Sequence, residues 1–271
     1  MSPLLFVCIL TGIIHATETL AASLRLAGVR TQQIASSLSF VNASLLISRM
    51  SNMIQAPLLG GMVDTAILRG DPSALLGNFR IIIFAAFIGN LIAALLTPSA
   101  VALFTRGIRR FEQTGSVPHL IIKLFTPKGL KIIKQSLRIP RLSALKNISL
   151  AGIPKTFLFL NVLMVSIYAI GVLASLLAGV YIPEYRITAV QLSGIVNGMA
   201  TILLTIMVDP VCAHITDQAA RGKRKEQDVR TVVFYIISGR VFGTLIISQL
   251  LLFPASQYIK YATFLVKGLF Q

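Results

Sequence analysis

The chain has 271 residues, of which 55% are apolar and only 13% are charged, and its mean hydropathy is +0.80. A soluble domain carries about 25% charged residues, so this composition excludes an ordinary soluble protein and indicates a polytopic membrane protein. The net charge of +16 would suit nucleic-acid binding. The basic residues lie between apolar segments, however, where membrane orientation explains them and no nucleic-acid partner is expected.

Six apolar segments are long enough to cross a bilayer, since a helix needs about 20 residues for the hydrocarbon core. The predicted spans are Pro3–Leu24, Ile34–Leu59, Ile81–Phe104, Phe157–Ile182, Ala189–Cys212 and Val232–Phe253. No basic stretch typical of a cleaved signal peptide precedes the first span, so we expect it to remain as a helix. The sequence therefore predicts an all-α bundle of about six transmembrane helices that forms a single domain, residues 1–271.

The distribution of Lys and Arg orients this bundle. Of the 25 basic residues, 18 lie in the segments after the first, third and fifth spans and 5 lie on the other side, while Arg49 and Arg240 fall inside spans. Loops rich in Lys and Arg stay in the cytoplasm. We therefore predict that both termini lie outside and that the basic loops lie in the cytoplasm.

Residues 105–156 form a basic segment between the third and fourth spans. Its 11 Lys and Arg residues, from Arg106 to Lys155, alternate with apolar side chains. This pattern favours short amphipathic helices on the inner leaflet, attracted to anionic lipid at about 1 kcal/mol per basic residue near the surface. The alternative is a solvated loop that only sets topology.

Two short patterns recur in the two halves of the chain. Leu-Ala-Gly-Val occurs at residues 26–29 and 177–180, and Met-Val-Asp occurs at residues 62–64 and 207–209. A duplicated unit of three helices would be inverted in the membrane, as in many transporters. The spacing between the patterns differs between the halves, so a weak inverted repeat and a chance recurrence are both compatible with them.

Ionisable residues inside the spans are the main functional signal. His15 and Glu18 lie in the first span, Arg49 in the second and Arg240 in the last. Such a group costs roughly 2.5–3.5 kcal/mol on insertion scales, so it usually faces the bundle interior, a watery cavity or a polar ligand.

Arginine and amide side chains outnumber acids in this set, which favours an anionic ligand because Arg forms bidentate hydrogen bonds to phosphate. The candidate ligand-binding residues are Arg25, Arg30, Arg49, Asn52, Gln55 and Arg240. The candidates for charge balance or proton coupling are His15, Glu18 and Asp209. The structural alternative is that Glu18 pairs with Arg240 or Arg49 simply to hold the bundle together; Glu18 and Arg240 are predicted to lie at similar depth. The alternative for Asp209 is an ordinary boundary residue, because Pro210 is expected to kink or end its helix.

No enzyme motif occurs in the sequence. There is no Gly-x-x-x-x-Gly-Lys phosphate loop, no His-Glu-x-x-His pair and no Gly-x-Ser-x-Gly elbow. The three histidines, His15, His119 and His214, are too widely spaced to suggest a metal site. We therefore expect neither catalysis nor a cofactor.

Several of these runs resemble one family. Residues 25–31 (Arg-Leu-Ala-Gly-Val-Arg-Thr) and the run from Ser48 to Pro57 look like the alternative lipid II flippase (Amj) family of bacterial inner-membrane proteins. Residues 208–210 and 238–240 fit the same pattern, as do the length and the six spans. The resemblance implies translocation of the lipid-linked peptidoglycan precursor lipid II, an undecaprenyl-pyrophosphate-linked disaccharide peptide, from the inner to the outer leaflet.

The resemblance makes a flippase with a cationic, alternating-access cavity the leading hypothesis. The alternatives are an ion- or proton-coupled transporter of a small anion and a membrane scaffold that does not transport. A lateral opening that meets the Arg49 cavity and admits a polyprenyl tail would favour the flippase, whereas a closed bundle with fully paired charges would favour the scaffold.

Overall fold

The computed structural model describes residues 2–140, 148 and 152–270. The described residues contain helices and no strand, which confirms the all-α prediction. The helices are α1 (Pro3–Ala21), α2 (Leu24–Thr31), α3 (Ile34–Arg69), α4 (Pro72–Thr114), α5 (Val117–Leu124), α6 (Pro127–Ser136), α7 (Lys155–Tyr181), α8 (Arg186–Gln191), α9 (Ser193–Leu203), α10 (Asp209–Ala220), α11 (Glu226–Phe242) and α12 (Ser248–Gly268). A 3₁₀ turn occupies Pro183–Tyr185, and π-helical turns at Leu204–Val208 and Gly243–Ile247 join α9 to α10 and α11 to α12.

Five stretches of the described chain are long and apolar enough to cross a membrane. They are Pro3–Thr31, Pro72–Thr114, Lys155–Tyr181, Pro183–Ala220 and Glu226–Gly268. The second predicted span lies in α3, which has 36 residues but is made less apolar by its serines, amides and Arg49. The protein is thus a multi-pass membrane bundle, and the sixth crossing stays a prediction.

The fifth span continues beyond the predicted boundary. Pro210 was expected to kink or end the helix after Asp209, but α10 runs on to Ala220 and Asp209 is its first residue. A proline ring clashes with the carbonyl four residues earlier in a regular helix. Here the π-turn Leu204–Val208 comes directly before Asp209 and Pro210, so the irregular backbone accommodates the ring and the helix resumes.

The third span is also longer than predicted, and it carries the basic segment. α4 extends to Thr114, and α5 and α6 follow as two short helices that pack against it. Arg106 of α4 donates to the Ser136 Oγ of α6 at 2.6 Å. The predicted short helices therefore exist. The part of the basic segment at residues 141–147 and 149–151 lies outside the described residues.

At its other end α4 begins with a capped turn. The Asp71 carboxylate accepts hydrogen bonds from Ser73 Oγ at 2.6 Å and from the Ala74 backbone N–H at 3.0 Å. Both hydrogen bonds lower the pKa of Asp71, since they stabilise its charged form. The cap satisfies a backbone donor that the first turn of a helix leaves open.

The helices alternate in direction, so the bundle has two distinct ends. We call the end at residues 22–33, 115–140, 152–154 and 221–225 the basic end, and the end at residues 2, 70–71, 182–185 and 269–270 the opposite end. α1 and α4 run in the same direction and cross so closely that a Cβ on Gly89 would collide with the backbone of Gly12. Small residues allow such approaches between membrane helices.

Two hydrophobic clusters divide between these ends. A cluster of 20 buried residues fills the opposite half, including Val7, Leu59, Phe79, Leu177 and Ile259. A second cluster packs α10 and α11 against α2, α4 and α7 near the basic end, around residues such as Cys212 and Val232. Both cysteines are free thiols.

Candidate functional site

A cavity of about 630 Å³ lies in the half of the bundle next to the basic end. Five parts of the chain form its walls. They lie between residues 15 and 25 (α1 and α2), 34 and 52 (α3), 161 and 168 (α7), 201 and 217 (α9 and α10), and 236 and 240 (α11). Each helix contributes the part of its length that lies toward the basic end, because the opposite half is filled by the 20-residue cluster. The cavity is therefore closed on one side by apolar packing.

An ion pair lies in the deep part of the cavity. Glu18 of α1 accepts a hydrogen bond from Arg240 Nη1 of α11 at 3.0 Å and another from Ser48 Oγ of α3 at 3.0 Å. The Glu18 and Arg240 side chains are only 10% and 19% exposed. The predicted pairing of Glu18 with Arg240 is confirmed. The buried Arg240 Nε has no hydrogen-bond partner among the described residues, so one N–H donor of this guanidinium is unsatisfied.

A buried hydrogen-bond network fixes the backbone at Arg240. Thr19 Oγ1 donates to Asn90 Oδ1 at 2.6 Å, and Asn90 Nδ2 donates to Thr244 Oγ1 at 3.1 Å and to the Arg240 carbonyl at 3.3 Å. Thr19, Asn90 and Thr244 are fully buried. Since these residues lie on α1, α4 and the π-turn after α11, the network holds three elements in register and positions the arginine over the cavity.

Arg49 and Asn52 project from α3 into the same space, and both are exposed. The three carboxylates that line the cavity each have an arginine: Glu18 pairs with Arg240, Asp209 with Arg25 and Asp217 with Arg221. Arg49 has no acidic partner in the described part of the chain. It is thus an uncompensated positive charge on the residue that follows Ser48, the hydrogen-bond donor to Glu18.

A second ion pair lies nearer the basic end. Arg25 Nη2 of α2 and Asp209 Oδ1 of α10 are 3.0 Å apart, and their side chains are 24% and 56% exposed. This pair joins the two sides of the cavity mouth. The cavity thus has the buried Glu18–Arg240 pair at its deep end and the partly exposed Arg25–Asp209 pair at its mouth. Arg49, on the α3 wall, has no acidic partner among the described residues.

Two comparisons identify the family. The family model described as "Amj: Alternate to MurJ" matches residues 10–263. A relative from Bacillus subtilis (strain 168), named "Lipid II flippase Amj", is 40% identical over 261 residues, which is 96% of each chain. The chain belongs to the Amj family. No solved structure matches it significantly.

The structure brings most of the predicted residues of this Amj family member together. Those lining the cavity are His15, Glu18, Arg25, Arg49, Asn52, Asp209 and Arg240. His15 is buried and its Nδ1 has no hydrogen-bond partner among the described residues. It lies close enough to Glu18 and Arg240 to interact with both electrostatically.

Two predicted ligand-binding residues lie elsewhere. Arg30 faces the surface at the basic end, where its Nη2 and Nε donate to Glu226 Oε1 at 2.7 and 3.0 Å. Gln55 is buried between α3 and α1 and donates to Thr11 Oγ1 at 2.9 Å. Gln55 lies one turn beyond Asn52, where the apolar opposite half begins, so it forms part of the closure and does not reach the cavity.

Sequence reasoning missed several residues of the site. Ser48 and Tyr168 line the cavity, and Asn90 donates a hydrogen bond to the backbone carbonyl of Arg240. Ser48 precedes Arg49, so a helical wheel that placed Glu18 opposite α3 would have suggested it. Tyr168 and Asn90 carry no such signal, because single polar residues in apolar spans do not reveal which neighbour they face.

Proposed function

We propose that the protein translocates lipid II across the bacterial cytoplasmic membrane by alternating access of its cationic cavity. The observation that carries the proposal is a cavity, confined to one half of the bundle, that is lined by Arg240 and by Arg49, which has no acidic partner among the described residues. The chain is 40% identical over 96% of its length to a protein named lipid II flippase Amj. Transport of this kind makes and breaks no covalent bond, so the protein acts as a carrier and not as an enzyme.

The head group of lipid II presents a physical problem that this cavity suits. A pyrophosphate with two sugars and a peptide is costly to move through hydrocarbon. Arg49 and Arg240 replace water around the pyrophosphate with charge-assisted hydrogen bonds. Asn52 supplies an amide for the sugars or the peptide, and Glu18 balances Arg240 while the cavity is empty. His15 and Glu18 are the candidates for proton coupling.

The orientation follows from charge. If the basic end faces the cytoplasm, as its Lys and Arg residues favour, the cavity is open toward the leaflet where the precursor is made, and both termini lie outside. Outward opening then requires separation of the apolar cluster around Leu177 and Phe79. Inward closure requires α3 and the α9–α10 segment to approach each other.

The orientation is tested by labelling. In a chain whose Cys8 and Cys212 are changed to alanine, Ser2→Cys reacts with an impermeant thiol reagent in intact cells. A control variant, Lys223→Cys at the basic end, reacts only after permeabilisation. The reversed pattern would overturn the proposed topology.

Anionic lipids of the inner leaflet are the second proposed partner. In α5 and α6, the exposed Lys123, Lys128, Lys131 and Lys134 lie among exposed apolar side chains such as Ile122 and Phe125. Apolar side chains that insert while lysines contact lipid heads are typical of interfacial helices. Because α6 is fixed to α4 through Arg106 and Ser136, this contact holds α4 at the surface.

The transport proposal is tested at Arg49. Arg49→Ala is expected to abolish lipid II translocation while membrane insertion stays normal. The measurement is a lipid II accessibility assay in cells depleted of any other lipid II flippase. Arg49→Lys retains partial activity, because lysine keeps the charge but loses the bidentate fork. The matched control is Arg69→Ala, which removes an exposed arginine from the other end of α3 and leaves transport unchanged. Normal transport by Arg49→Ala at equal protein level would exclude Arg49 from the site.

A further inference from the structure

The two walls of the cavity at α3 and at α9–α10 face each other without packing together. α3 packs on α1, α2, α4 and α7, while α9 packs on α7 and α8 and α10 packs on α2 and α11. Within the described residues, neither α9 nor α10 has an extended contact with α3. A gap therefore separates two elements that border one cavity.

Exposure shows that this gap opens to the exterior. Arg49 and Asn52 on one wall and Thr201 and Thr205 on the other line the cavity and are nevertheless exposed. The α9–α10 segment is also the least enclosed of the five apolar stretches: 17% of its most apolar window is buried, against 33–50% in the others. The gap thus lies at the loosest side of the bundle.

Apolar side chains line the cavity on both sides of the gap. Leu38, Val41 and Leu45 line it on α3, and Leu204 and Val208 line it on the facing segment. Side chains on the adjoining outer surface are exposed and apolar as well: Leu46, Ile47, Met50, Met53, Ile202 and Ile206. Leu45 precedes Arg49 by one helical turn, so about 6 Å of helix separates the apolar border from the free cation.

We propose that the gap between α3 and α9–α10 is a lateral portal through which the polyprenyl tail of the substrate stays in the bilayer while the head occupies the cavity. The inference rests on the proposed function, since it assigns a route to the tail of that same ligand. The apolar border is continuous with the cationic site, and a ligand that joins an anionic head to a long hydrocarbon chain matches both surfaces at once.

Site-specific photo-crosslinking tests the portal. p-Benzoylphenylalanine is placed at Leu45 or Thr205, at the portal, and at Ile92 as a control. Ile92 is exposed in a separate apolar groove between α1 and α4, away from the cavity. The probe is radiolabelled lipid II in proteoliposomes. We expect labelling at positions 45 and 205 to exceed labelling at position 92 several-fold and to be competed by unlabelled lipid II but not by phosphatidylglycerol.

A second measurement separates the portal from the function. Binding of radiolabelled lipid II is measured for the wild type and for Arg49→Ala, and labelling at position 45 is repeated in the Arg49→Ala chain, where it is expected to fall. If binding depends on Arg49 but position 92 is labelled as strongly as positions 45 and 205, the portal is wrong and the proposed function stands. If lipid II binding does not depend on Arg49, both proposals are overturned.

Discussion

The two halves of the bundle are built from the same helices, but one half is lined by charged side chains and the other is packed with apolar ones. Toward the basic end, α1, α3 and α11 present Glu18, Arg49 and Arg240 to an open cavity. Toward the opposite end, α1, α3 and α7 present Val7, Leu59 and Leu177 to one another in a dense apolar cluster. One half holds charges around a cavity, whereas the described residues of the other half form an apolar cluster and an apolar groove between α1 and α4.

This difference indicates how such a carrier can work. An apolar closure separates without leaving unpaired charges, because no ion pair has to be broken in a low-dielectric region. The charged half instead exchanges partners, since an anionic head group can bind the arginines that the carboxylates balance. The apolar half thus closes the bundle by packing, and the charged half binds the ligand. The two tasks fall at different positions along the same helices.

The largest effect is expected from substitutions in the buried Glu18–Arg240 pair. Glu18→Gln or Arg240→Gln alone leaves an uncompensated charge and is expected to cost about 3–5 kcal/mol of stability, measured as reduced membrane accumulation and a lower unfolding midpoint in detergent. The double variant should recover much of the accumulation. Its translocation stays impaired, because Arg240 is lost as a ligand.

This pair experiment has two informative failures. A double variant that accumulates no better than the summed single defects would show that the two residues are not energetic partners. A double variant that translocates lipid II normally would remove Arg240 from the ligand site and leave Arg49 and Arg25 as its cationic groups.

The apolar half is tested by opening a hole in it. Leu177→Ala removes a side chain with 0% exposure and is expected to cost about 2–5 kcal/mol through lost contacts and an unfilled cavity. The control, Leu265→Ala, truncates a leucine that is 76% exposed and should leave the unfolding midpoint unchanged. Lipid II binding by Leu177→Ala in the folded state is retained. Equal effects of the two substitutions would contradict a closure that depends on packing.

The smallest effect is expected at the mouth of the cavity. Arg25–Asp209 is partly exposed, as is the Arg186–Asp64 pair at the opposite end, where the O–N distance is also 3.0 Å. Exposed pairs contribute about 0–1 kcal/mol, so Asp209→Asn and Asp64→Asn should each shift stability by less than about 1 kcal/mol. Only Asp209→Asn should change lipid II binding, because it frees Arg25 beside the cavity. An equal change in binding from Asp64→Asn would show that the mouth pair has no special role.

Much of the site was predictable, but its arrangement was not. Ionisable residues stand out in apolar spans because burying them is costly, so Glu18, Arg49 and Arg240 could be selected without coordinates. Similar depth made Arg240 one of two possible partners of Glu18, and Arg49 was the other. Arg30 and Gln55 were predicted to bind the ligand as a cation and an amide, yet one bonds Glu226 and the other bonds Thr11. Depth along a helix does not determine which neighbour a side chain faces.

The sequence by itself determined the all-α membrane class, because hydrocarbon accepts only backbone that satisfies its own hydrogen bonds. It also determined the family and the approximate positions of most helices. Only the tertiary structure decided that the cavity is confined to one half, that Arg49 lines it without an acidic partner among the described residues, and that α3 and α9–α10 stand apart. It also decided that the helix continues past Pro210, because the π-turn before Asp209 accommodates the proline ring. These features depend on helix rotation and on contacts between residues up to 222 positions apart in the chain, and no local pattern encodes either.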